Sequence, residues 1–252
     1  MQRIMKTMIK VPEITLFFWI IKLLTTAMGE STTDYLVFHI NPYVAVAFGG
    51  IGLVLSLVLQ LSVRRYVPWI YWLAVVMVAI FGTMAADVLH VVLGIPYYAS
   101  TIFFLVALAV IFVMWYFSEK SLSIHSIYTR RRELFYWATV MATFALGTAT
   151  GDLTAATFHL GYLYSGVLFA VLFALPAIGY FLFDLNEVFA FWFAYIITRP
   201  LGASFADWFG KSTLGGLGLG DEKVSLVLTV LIIVFVGYLT ITHKDIQGKI
   251  RR

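Results

Sequence analysis

The chain has 252 residues, of which 62% are hydrophobic and only 12% charged, with no cysteine, a formal net charge of +4 and a mean hydropathy of +0.94. Water-soluble domains carry about 25% charged and about 45–50% apolar residues, so this composition excludes a soluble globular domain and makes lipid the solvent. Without cysteine, disulfides, thiolate metal sites and cysteine nucleophiles are also excluded.

Eight apolar segments follow one another at 13–38, 43–63, 68–93, 98–118, 134–159, 163–183, 188–209 and 224–242, separated by prolines, charge clusters and short polar turns. Each is near the roughly 20 residues that cross a bilayer as a helix, and none shows the alternating pattern of roughly 10 residues expected of a barrel strand. The expectation is an all-α polytopic membrane protein, with 1–252 forming a single membrane domain. The first run is too long for a cleaved signal peptide and no small-residue cleavage site follows it.

Basic residues set the expected orientation. With the N-terminus in the cytoplasm, thirteen fall inside: Arg3, Lys6, Lys10, Arg64, Arg65, Lys120, Arg130, Arg131, Arg132, Lys244, Lys249, Arg251 and Arg252. Only Lys211 and Lys223 fall outside. The positive-inside bias therefore predicts insertion in the cytoplasmic (inner) membrane with both termini cytoplasmic. The basic surplus is a topology signal, and no soluble part is large enough to bind nucleic acid.

An internal repeat runs through the odd-numbered segments. Trp19, Trp72, Trp137 and Trp192 each precede a glycine by ten residues (Gly29, Gly82, Gly147 and Gly202), and each glycine precedes an aspartate by five: Asp34, Asp87, Asp152 and Asp207. Before each aspartate stands Thr33, Ala86, Gly151 or Ala206, so every odd helix carries a small-xxx-small face that lets backbones approach closely. The glycines are 53, 65 and 55 residues apart, which makes each repeat a two-helix hairpin. The repeats are 13–63, 68–118, 134–183 and 188–242, with a charged cytoplasmic linker at 119–133. An even number of spans per unit makes the repeats parallel, in two pseudo-symmetric halves of four helices. The odd helices are expected inside and the more apolar even helices against lipid.

These residues resemble a known family of bacterial membrane proteins with four tandem copies of a repeat of unknown function, each copy with two transmembrane segments and a characteristic tryptophan. VPEITLFFWIIKLLTTAMGE at 11–30 and RPLGASFADW at 199–208 carry most of the likeness. The resemblance implies architecture and brings no activity, so chemistry rests on the residues.

An ionisable side chain at mid-membrane costs about 2.5–3.5 kcal/mol even on permissive scales. Four aspartates in one register therefore need protons, partners or a cation. Glu30 lies one turn before Asp34, and His90 lies one turn after Asp87; His39 and His159 follow their aspartates at other spacings. Carboxylates with a neutral imidazole suit a borderline divalent cation or a proton relay. Lys22 and Arg199, inward of the aspartates in otherwise apolar spans, are expected to pair with acids as counter-charges. Pro200 is placed to bend its helix. Glu13 is expected to cap the first helix, and the loop Gly215-Gly216-Leu217-Gly218-Leu219-Gly220 reads as a flexible connector, with a re-entrant segment or a gate as alternatives.

Enzyme signatures fail. Gly210-Lys211-Ser212 lacks the glycine a phosphate loop needs where Phe205 stands, and no nucleophile elbow or zinc-protease histidine pair occurs. No cofactor is expected, since a bound metal would be substrate. The leading expectation is a secondary transporter for a cation, a divalent metal such as manganese, with proton coupling. Its site comprises Asp34, Asp87, Asp152, Asp207, Glu30 and His90, with Lys22 and Arg199 as counter-charges. The alternatives are a carrier of a small organic or anionic solute held by Arg199 and Lys22, and a non-transporting scaffold or sensor. Its expected partners are the bilayer and a small ion or solute.

Overall fold

The computed structural model of the protein describes residues 9–246. Arg3, Lys6, Lys249, Arg251 and Arg252, counted above for orientation, lie outside the described residues. Among the described residues, eight long helices make up the fold: α1 (Leu16–His39), α2 (Pro42–Ser62), α3 (Pro68–Asp87), α4 (Tyr97–Glu119), α5 (Arg130–Asp152), α6 (Gly161–Phe183), α7 (Glu187–Gly210) and α8 (Asp221–Thr242). Six of them, α2, α3, α4, α6, α7 and α8, are long and apolar enough to cross a membrane, so this is a membrane protein. The other two, α1 and α5, are equally long but carry Lys22, Glu30 and Asp34, or Arg130 to Glu133 and Asp152.

Helix starts follow local chemistry. Asn41 and Asn186 accept hydrogen bonds from the first turns of α2 and α7, and Pro42 and Pro68 occupy first-turn positions where a missing N–H costs nothing. Thr15, not Glu13, caps α1, accepting from Phe18 N at 3.4 Å. Pro200 lies within α7, which continues through it to Gly210.

The odd helices form a closed ring in which α1, α3, α5 and α7 each pack on two others. The motif glycines make this possible. A Cβ at Gly29 would lie 2.6 Å from Ala79 Cβ, and one at Gly82 would lie 2.7 Å from Phe144 Cβ. At Gly147 it would overlap the side chain of Arg199, and at Gly202 that of Thr26. Ala79, Phe144, Arg199 and Thr26 each stand three residues before the glycine of their own repeat, so one contact is made four times and the last returns to the first helix.

Nearer the chain termini, the signature tryptophans repeat the pattern. Phe18 meets Trp72 at 5.8 Å between ring centroids, Tyr71 meets Trp137 at 5.6 Å, Tyr136 meets Trp192 at 6.2 Å and Phe191 meets Trp19 at 5.8 Å. Each pair joins the aromatic residue just before one tryptophan to the tryptophan of the next repeat. The architecture is thus a fourfold ring of repeats closed on itself.

The even helices form the outer layer. The apolar windows of α2, α4, α6 and α8 are only 28%, 22%, 17% and 17% buried, against 50% for α3 and 67% for α7. The two helices of a repeat are not its best-packed pair. Helix α2 packs on α3, α4 on α5, α6 on α7, and α8 on α1, so each even helix lies chiefly against the odd helix of the following repeat. Glycines explain part of this. Gly49, Gly50 and Gly52 of α2 admit Met84, Phe81 and Met77 of α3, and Gly166 of α6 admits Phe205 of α7.

Candidate functional site: an acidic cluster at one end of the ring

All four motif aspartates lie in the last turns of the odd helices, at the end of the bundle away from the described chain termini. They gather as two triads. The first joins repeats one and four: Glu30, Asp34 and Asp207 bring carboxylate oxygens within 4.8 Å of one another. The second joins repeats two and three: Asp87, His90 and Asp152, within the same distance. The structure thus brings together all six predicted acidic and imidazole residues, but as two groups. His39 stays out, exposed and stacked on Tyr35 at 4.2 Å, and His159 is exposed at a left-handed backbone position with φ 57°.

Two basic side chains occupy the first triad. Arg199 is fully buried, with Nη2 2.5 Å from Glu30 Oε2, 2.6 Å from Thr148 Oγ1 and in contact with Thr83 Oγ1. Glu30, Thr83 and Thr148 each directly follow a motif glycine. The guanidinium therefore gathers equivalent positions of the three other repeats and closes the centre of the ring beneath the aspartates. Lys211 Nζ spans Asp34 at 3.0 Å and Asp207 at 2.9 Å. Burial lowers the affinity of the Lys211 ammonium for its proton, but Asp207, Asp34 and Glu30 together outweigh it and hold its pKa well above the ordinary value.

Lys211 did not stand out in the sequence, although it follows Asp207 by four residues, the spacing of one helical turn. The glycine-rich loop holds it in place. Leu217, Gly218, Leu219 and Gly220 donate to the carbonyls of Trp208, Lys211, Phe209 and Gly210 at 2.6–3.1 Å, which satisfies the otherwise open C-terminus of α7. Gly215, Gly218 and Gly220 have positive φ, so glycine is what this cap requires. The segment that connects α7 to α8 is thus also a helix cap.

Lys22 also departs from expectation, forming no ion pair among the described residues. Its Nζ is buried 3.8 Å from the ring centroid of Phe144 and 4.2 Å from that of Tyr195, so aromatic faces stand where a carboxylate was expected.

The second triad has a different backbone. Directly after Asp87, α3 widens into a π-helical turn at Val88–Val92 that carries His90, and directly after Asp152, α5 does the same at Leu153–Thr157. Such turns recur at functional sites. The α1 and α7 aspartates sit in ordinary helix. No Lys or Arg pairs with Asp87 or Asp152 among the described residues.

Buried polar pairs tie the opposite end together. Lys10 pairs with Glu133 in a buried contact, Gln60 Nε2 donates to Glu133 at 3.0 Å, and Lys10 N donates to Ile127 O at 2.9 Å. Tyr66 donates to Asp245, whose carbonyl accepts from Glu13 N at 2.9 Å. These pairings join segments far apart in the chain, so the linear pattern did not reveal them.

A model of the repeat described as Repeat of Unknown Function (DUF347) matches residues 17–66, 70–121, 135–185 and 190–245. The chain belongs to the DUF347 repeat family. The four matched copies each hold one tryptophan, one ring glycine and one aspartate of the motif, so the DUF347 repeat is the unit from which the ring is built. No curated relative and no solved structure matches the chain.

Proposed function

We propose that this DUF347 protein crosses the cytoplasmic membrane eight times, with both termini cytoplasmic, and is a secondary transporter of a cation, a divalent metal in the first place. In this reading α1 and α5 also cross, with Lys22 and Glu30 buried inside the ring and Arg130 to Glu133 at the start of α5. The carrying observation is the state of the acids: six carboxylate and imidazole groups in two triads at one end of the ring, with Arg199 and Lys211 resting on one triad. A cation arriving at these acids competes with the protein's own cations, which gives the site two charge-balanced states, loaded and empty. Asp34, Asp87, Asp152 and Asp207 bind the ion or exchange protons for it, while Glu30 and His90 assist. The opposite end, with its aromatic ring and its Lys10–Glu133 pair, is the barrier that an alternating-access cycle opens.

Flux measured in proteoliposomes tests this reading. Asp87→Asn should abolish metal uptake or efflux while leaving the protein folded, and unaltered flux in that variant removes the hypothesis.

One observation favours a second reading. Arg199 Nε and Nη1 and Lys22 Nζ are buried donors without a hydrogen-bond partner among the described residues, the kind of groups that a carrier of a small organic anion uses. Lys22→Met and Arg199→Met decide between the two. An anion carrier loses substrate binding, whereas a cation carrier loses stability. A scaffold or sensor, the third possibility, should gain no thermal stability from any member of a metal and pH panel.

A further inference from the structure

We infer that the Asp87–His90–Asp152 triad is where a transition-metal cation binds, with His90 Nδ1 as its nitrogen ligand, while Glu30, Asp34 and Asp207 rest on the protein's own cations. This deepens the cation-carrier reading and rests on it for the metal's role as cargo.

The hydrogen bond to Ser100 sets the His90 tautomer. Ser100 Oγ lies 3.0 Å from the carbonyl of Tyr97 in its own helix and 2.5 Å from His90 Nε2. A serine hydroxyl has one proton. Donated to the Tyr97 carbonyl, it leaves the oxygen to accept from His90 Nε2–H. The other ring nitrogen, Nδ1, then carries a lone pair. That nitrogen is buried, the side chain being only 5% exposed, and has no hydrogen-bond partner. Its nearest acidic atom is Asp152 Oδ2 at 3.7 Å, beyond hydrogen-bond reach. An unpartnered buried acceptor facing two carboxylates is unfavourable unless something positive lies between them.

The surroundings complete the site. Two carboxylates and one imidazole nitrogen form a donor set suited to Mn²⁺, Fe²⁺, Co²⁺ or Zn²⁺, whereas Mg²⁺ and Ca²⁺ prefer all-oxygen shells. Ser100 acts as the outer partner that fixes a metal-binding histidine. Metal–ligand bonds of about 2.0–2.2 Å would draw together three donor atoms that now lie within 4.8 Å of one another. The π-turns after Asp87 and Asp152 offer the backbone adjustment for that contraction. The Asp152 side chain is 21% exposed, so protein does not fully enclose the triad. In the other triad, by contrast, every acid already has a lysine or arginine on it.

The test is Mn²⁺ binding to the purified full chain in detergent, followed by electron paramagnetic resonance. Wild-type protein should bind Mn²⁺ saturably and show magnetic coupling to a ¹⁴N nucleus, a result that needs no variant to fold. His90→Gln should lose the coupling, and Ser100→Ala should weaken binding about 10- to 100-fold. Ser225→Ala, on α8, should bind as wild type does. Excess Mg²⁺ should not displace the ion, while Zn²⁺ should. Absence of saturable binding, or a nitrogen signal that survives in His90→Gln, overturns the inference. The two readings fail separately. Mn²⁺ bound with nitrogen coupling but never moved across proteoliposomes leaves the metal site and removes the transporter, whereas cation flux without Mn²⁺ at the triad does the reverse.

Discussion

Gly202 of α7 packs against Thr26 of α1, and with that contact the fourth repeat meets the first. Thr26 Oγ1 also lies 3.2 Å from the carbonyl of Thr198 on α7, so a hydrogen bond crosses the same closure. The ring holds its acids together because no repeat is left with an unpaired edge.

The ring contacts predict a graded response to glycine substitution. Gly147→Ala would drive a methyl group into Arg199 and Pro200, and overpacking of this kind costs about 1–3 kcal/mol. Gly237 in α8 has nothing within 4 Å of the position its Cβ would take. Gly237→Ala should therefore be neutral or stabilising by up to about 1 kcal/mol through helix propensity. Thermal unfolding in one detergent, with the two variants side by side, checks the contrast. Equal melting temperatures would mean the glycines are not the ring's contact points.

Much of this architecture was legible in the sequence because it is periodic. Trp19, Gly29 and Asp34 recur three more times in the same register, and that recurrence marked the inner helices. Periodicity does not state which neighbour a helix chooses, so the packing of α2 on α3 and the closure of Gly202 on Thr26 stayed hidden. Residues that occur in one repeat only were harder still. Lys211 joins the site only because the glycine cap turns it back over Asp34, and Lys22 missed its expected carboxylate because Phe144 and Tyr195 surround it. The π-turns that follow Asp87 and Asp152 were also hidden, since Val88–Val92 and Leu153–Thr157 carry no shared signal.

Arg199 and Glu30 should behave as a unit. Removing one member of a buried pair leaves the other charge without a partner, which costs about 3–5 kcal/mol, whereas removing both can be nearly neutral. Arg199→Met and Glu30→Gln should each lower the melting temperature markedly. The double variant should recover a large part of the loss. Additive losses in the double variant would show that the two side chains contribute independently.

Lys211→Met tests internal competition for the acids. Losing the ammonium frees Asp34 and Asp207 and raises the negative potential at that end of the ring. Mn²⁺ affinity should rise by about three- to tenfold, up to about 1.4 kcal/mol, and the gain should shrink as salt increases. Titrations of wild type and variant at two ionic strengths measure it. Unchanged or weaker affinity would mean that Lys211 does not compete with the ion.

At the opposite end, Asp245 predicts a pH dependence of stability. Burial raises its pKa above the ordinary 3.8, and the hydrogen bond from Tyr66 offsets only part of that. The Tyr66 hydroxyl is itself held well above its usual range, by burial first and by Asp245 second, and so remains a donor. A carboxyl whose pKa is higher in the folded chain than in the unfolded one favours the fold in its protonated form. That contribution is whole below pH 3.8 and is lost as pH rises through the folded value. Asp245→Asn keeps an oxygen for Tyr66 but has no charge to bury. Its melting temperature should match that of wild type near about pH 4 and exceed it increasingly toward about pH 7. A scan of both proteins across that range decides the point: parallel curves would show that the Asp245 charge is fully solvated, and a variant less stable at neutral pH would show that the ionised carboxylate holds the end closed.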